Sequence, residues 1–91
     1  MAEITSMKNI GKELARKLKI IGINSPEELM RTGSKEAFLR LKMRLPEVCL
    51  VHLYTLEAAI TDTAFNKLSA ETKKELKEFS DDWKSSRITI D

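Results

Sequence analysis

The most reactive side chains sit close together. Cys49 and His52 lie three apart in Val48-Cys49-Leu50-Val51-His52, a spacing that puts them on neighbouring turns of one helix. A thiol beside an imidazole can act as nucleophile and base, but that chemistry also needs a third group to hold the base. The sequence offers no such group, and one Cys with one His cannot assemble the roughly four ligands of a zinc site. Cys49 is therefore expected to serve as a small buried apolar group, and His52 as a structural or partly exposed side chain. No Gly-rich phosphate loop of the GxxxxGK[ST] or GxGxxG kind occurs. The carboxylates alternate with lysines on amphipathic stretches, where they solvate a surface. The expectation is a protein that is not an enzyme and that uses no catalytic residue, metal, cofactor or small-molecule substrate.

Charge carries more information. The formal net charge is +2, yet residues 1–44 hold ten Lys or Arg against five Asp or Glu, a net +5, while residues 45–91 hold six against nine, a net −3. The basic half is where a polyanion would bind. Within it, Lys8, Lys12, Arg16 and Lys19 recur at i, i+4, i+8 and i+11, which on a helix makes one stripe turned away from Ile10, Leu14 and Leu18. The stripe opens at Asn9-Ile10-Gly11, which resembles the hairpin of helix-hairpin-helix DNA-binding elements; the resemblance implies a tight turn in which Gly11 lets a phosphate approach the free N–H groups of the helix start. Lys8, Asn9, Gly11, Lys12, Arg16 and Lys19 are the candidate nucleic-acid contacts. The competing reading is a protein-interaction module, meeting a regulatory partner or a second copy of itself without touching DNA. It is favoured by the absence of aromatic residues from the stripe, since a single-strand binder stacks bases on such rings.

These residues must be positioned by helices. Apolar residues at Ile10, Leu14, Leu18 and Ile21 predict a helix over 10–20 that ends at Gly22. Ser25-Pro26-Glu27-Glu28 has the arrangement of a capping box, which starts a second helix that Gly33 stops. Ser34 is expected to cap a third helix carrying Ala37, Phe38, Leu41 and Leu45, and Pro46 to end it. Residues 47–60 are apolar nearly all round, so the fourth helix should be the central one. Ser69 is expected to cap a fifth, with Leu76, Phe79 and Trp83 on one side. The tail 85–91 is expected to be extended or flexible. No period-two alternation is convincing, so the fold class is all-α: a bundle of about five helices forming one domain over residues 1–91, with a helix-hairpin-helix or SAM-like N-terminal part. No apolar run approaches the roughly 18 residues that cross a bilayer, and residues 1–7 lack a signal-peptide core. A cytoplasmic protein with no membrane partner is the default expectation.

The segment from Asn9 to Leu18 with Gly22 to Leu29 resembles the helix-hairpin-helix element of non-sequence-specific DNA-binding proteins, with Asn9 where that element has its first glycine and Gly11 at the second. A longer resemblance spans residues 7 to about 80. Asn9-Ile10-Gly11, Leu18, Gly22-Ile23, Glu28-Leu29, Gly33, Leu53-Tyr54, Leu56-Glu57-Ala58-Ala59 and Phe65-Asn66-Lys67-Leu68 are similar to the C-terminal domain of the bacterial TfoX (Sxy) competence regulators, which usually carry tryptophan where this chain has Phe65. The resemblance implies an all-helical fold with a helix-hairpin-helix-like start and a role linked to competence or the regulation of gene expression.

Overall fold

Among the described residues, the backbone takes a positive φ at Asn9, Gly22, Gly33 and Asp62, and each of these ends or redirects an element. The structure is a computed structural model that describes residues 3–90, with side chains through residue 83. Its helices are α1 (Lys12–Ile20), α2 (Pro26–Thr32), α3 (Ser34–Arg44), α4 (Leu50–Ile60) and α5 (Ala70–Ile90), with 3-10 turns at Ile4–Ser6 and Phe65–Lys67 and no strand among the described residues. The fold is all-α, as the sequence pattern requires.

Helices α1 and α4 end in the same way. Gly22, at φ 85°, lets its N–H reach Lys19 O at 3.0 Å while Ile23 N–H reaches Leu18 O at 2.9 Å. This pair of bonds is the Schellman arrangement, and it buries Ile23 beside Leu18. Asp62 takes the glycine's part after α4: its N–H bonds Ala59 O at 3.2 Å, and Thr63 N–H bonds Ala58 O at 2.9 Å. The predicted caps at Ser25 and Ser69 are present, with Ser25 Oγ accepting from Glu28 N at 3.2 Å and Ser69 Oγ from Thr72 N at 3.0 Å.

Three expectations need correction. Ser34 is the first residue of α3 rather than its cap. Gly33 holds the cap position, and the Ser34 hydroxyl donates instead to Glu57 Oε1 at 2.6 Å, joining α3 to α4. The fourth helix starts at Leu50, not at residue 47. After Pro46 the chain turns inward to bury Val48, and Lys42 Nζ fastens that turn by donating to Pro46 O and Val48 O. Cys49 thereby becomes the N-cap of α4 and is exposed, not buried. Finally, of the two readings of the tail, extended or flexible, the extended one does not hold, because α5 runs through Ile90; Asp91 lies outside the described residues.

Leu53 and Leu56 of α4 are fully buried with Leu18, Leu29 and Leu41, beside Phe38 at 1% exposure and Leu76 at 2%. Ile60 and Phe79 pack against this cluster from its edge. The centre is shared: α5 packs on α4, but α1 and α2 pack on α3. A leucine as enclosed as Leu56 costs about 2–5 kcal/mol when cut to alanine. Leu56→Ala is therefore expected to lower the Tm by at least about 8 °C, measured by circular dichroism.

Candidate nucleic-acid interface

The basic face is built on a turn that begins at residue 3. One 3-10 turn, with Ile4 buried at its base, leads to Asn9, whose backbone sits at φ 73°. That conformation costs an ordinary L-residue about 1–2 kcal/mol, and Asn is among the few that tolerate it. The Asn9 side chain turns into the fold. Its Nδ2 donates to Thr63 O at 2.7 Å, and its Oδ1 accepts from Phe65 N–H at 3.2 Å. Asn9, a candidate contact by sequence, thus uses both ends of its amide to tie the start of α1 to the connection between α4 and α5.

Gly11 lies two residues beyond this turn. It is extended (φ −88°, ψ −179°), not strained, because the left-handed step falls at Asn9. It is the N-cap of α1, with no side-chain cap and open space where a Cβ would stand. The first N–H groups of α1 are therefore uncovered by any side chain on the capping residue, at the positive end of the helix dipole.

The four-residue basic stripe does not stay together. Because the helix starts at Lys12, Lys8 is not on α1, and it lines a separate depression with Met30, Ile60, Glu27 and Asp62. Lys12, Arg16 and Lys19 do share a face and wall one groove of about 600 Å³ whose floor includes Ile4, Ala15 and Ile23. Lys12 and Lys19 are exposed and form no ion pair with a described side chain. Arg16 pairs with Glu13, and its guanidinium draws that carboxyl below the ordinary value. Both groups are exposed, so the pair is weak and open to exchange.

Sequence reasoning missed a contact behind this face. Lys17 Nζ stands 3.5 Å from His52 Nε2, while His52 Nδ1 accepts the Cys49 N–H at 3.1 Å and lies 3.6 Å from Cys49 Sγ. His52 caps α4 in place of the usual Glu or Gln at that position. Partial burial, then the Lys17 charge, push its pKa below the ordinary 6.5. No cluster of three or more His, Cys, Asp or Glu fit to hold a metal, and no helix long and apolar enough to cross a membrane, occurs among the described residues.

Comparison with known proteins places this geometry. The family model of the TfoX C-terminal domain matches residues 1–80. The chain belongs to the TfoX C-terminal domain family. This is a family of small, regulatory-type domains. The TfoX-type fold matches a crystal structure, in a triclinic form, of an uncharacterized protein from Listeria monocytogenes, with a TM-score of 0.87 and 40% identity over 91% of this chain and 94% of that one. It also matches a tetragonal crystal form of a protein of unknown function from Listeria monocytogenes, with a TM-score of 0.79 and 43% identity over 82% of this chain and 93% of that one. No curated protein matches the chain.

Two outcomes follow for the TfoX-type turn. Asn9→Ala loses two hydrogen bonds, worth about 1 kcal/mol each, and adds the cost of a positive φ, whereas Asn9→Gly loses only the bonds. Denaturant unfolding should rank them wild type, then Asn9→Gly, then Asn9→Ala, with the last two separated by about 1–2 kcal/mol. His52 favours its neutral form in the fold, so its contribution to stability is complete above pH 6.5 and declines as the pH falls below that value toward the lowered one. It is the only histidine of the chain, and His52→Gln should flatten the Tm against pH in that window.

Proposed function

We propose that this chain is a regulatory module that binds nucleic acid without sequence preference, through the N-terminus of α1 and the adjoining face of Lys12, Arg16 and Lys19. The observation that carries the reading is the coincidence of two features on one helix. The cap position is a glycine with open space around it, and the next three exposed cations recur on a single face. A phosphate seated at Gly11 would accept from the first N–H groups of α1, as anions do at helix N-termini, and successive phosphates would meet the side chains. Asn9 acts indirectly by fixing where α1 begins. Lys8 lines a separate depression and takes no part in this groove. No aromatic platform lines this groove, which favours duplex over single-stranded DNA. The proposed setting is competence or another branch of bacterial gene regulation, as the resemblance implies.

A salt titration of binding to random-sequence duplex DNA tests the reading. Each phosphate contact contributes about 0.9 to the slope of log affinity against log salt. Lys12→Gln and Lys19→Gln are each expected to lower that slope by about 0.9, with the same weakening on every DNA sequence. Gly11→Val should weaken binding by blocking the approach while costing the fold at most about 1 kcal/mol, since its φ is ordinary and its surroundings are open. Wild-type protein that binds neither duplex nor single-stranded DNA at low salt would refute the proposal.

A further inference from the structure

The basic face of α1 has a counterpart on α5. Lys12, Arg16 and Lys19 stand at i, i+4 and i+7. Glu71, Glu75 and Glu78 repeat that spacing on α5, and Asp82 extends the row at i+11. All seven side chains are exposed. At 1.5 Å per residue each triad covers about 10 Å of its helix, so the two rows match in length as well as in sign. Within one chain α1 packs on α3 while α5 packs on α4, which leaves each row on an outer helix face. Lys12, Lys19, Glu71, Glu78 and Asp82 form no ion pair with a described side chain. Arg16 has the exposed partner Glu13, and Glu75 pairs with the half-exposed Lys35, whose ammonium also lies over the Phe79 ring; both pairs remain open to water and weak.

We propose that the acidic row on α5 of a second copy docks along the α1 basic face, so that the chain carries its own competitor for that surface. Carboxylates and phosphates are recognised by the same ammonium and guanidinium groups, and a row of four carboxylates along a helix presents negative charge at regular intervals much as a nucleic-acid backbone does. The groove between Lys12, Arg16, Lys19 and the apolar floor of Ile4 and Ile23 is where a second helix would sit. The inference uses the face assigned above to phosphates but does not rest on that assignment, because docking of a second copy requires no nucleic acid.

The test is sedimentation velocity on the whole chain freed of nucleic acid, at high protein concentration, in about 10 mM and about 1 M salt, where charges are felt over about 30 and 3 Å. The mass is expected to rise toward twice that of one chain at low salt and return to one chain at high salt. Two charge-reversed variants sharpen it: Lys12→Glu with Lys19→Glu, and Glu78→Lys with Asp82→Lys. Each variant alone should remain a single chain at low salt, and an equimolar mixture should associate again, because each supplies the row that the other lacks. All four positions are exposed, and unchanged circular dichroism confirms that the fold survives. A wild-type chain that stays single at low salt overturns the proposal, as does association indifferent to salt or a mixture that fails to associate. Failure of the DNA titration would leave these outcomes unaffected.

Discussion

The amide of Asn9 holds the N-terminal turn against the far end of α4. Its donor and acceptor both reach the Thr63–Phe65 connection, and Thr63 is itself held by the left-handed turn at Asp62. One side chain thus fixes where α1 starts relative to the centre of the molecule. The position of Gly11, the exposure of the first N–H groups and the face on which Lys12, Arg16 and Lys19 lie all depend on that start. Remove the constraint and Lys12, Arg16 and Lys19 still share one face of α1, but the position of that face against the rest of the fold is no longer fixed by this side chain. Phe65 adds to the anchorage, its ring tilted against Tyr54 with centroids 6.5 Å apart.

Most of the helical frame was legible in the sequence because its signals are local. Gly22 ends α1, Ser25-Pro26 opens α2 and Ser69 opens α5 through bonds between residues at most five apart, which composition and spacing reveal. The errors arose where a residue chose a distant partner over a near one. Ser34 could have capped its own helix, but Glu57 on α4 accepts its hydroxyl. Cys49 looked buried because its neighbours are apolar, yet Val48 is fully buried and Leu50 packs on the core edge while Cys49 between them faces solvent. The stripe reaches back to Lys8, ahead of the helix predicted from residue 10, whereas α1 starts at Lys12, so one of its four residues falls outside the shared groove. The Asn9 bonds span more than fifty residues, and no sequence window contains both partners.

Two kinds of surface result from this frame. The α1 face is walled by cations over an apolar floor, while α5 presents carboxylates at the same intervals. Neither charge row is needed to hold the helices together, since the buried leucines and Phe38 do that. The rows are thus free of the packing constraints that fix the core, and their regularity is a property of the exterior alone. His52 lies where these layers meet: it caps α4 with one nitrogen and faces Lys17 of the basic helix with the other.

The reach of the Asn9 bonds also bears on the order in which the molecule assembles during synthesis. Helices α1 to α3 can form and pack from local contacts while the chain is still being made, but the clamp on the first turn requires Thr63 and Phe65. Contacts so far apart in sequence close late, because the intervening loop must be ordered first. A nascent chain that has emerged only through α3 therefore has its lysines and arginines in place without the clamp that orients them. The surface proposed to meet a polyanion is completed only when the segment after α4 arrives, so a truncated product would be basic and helical but would lack the formed site.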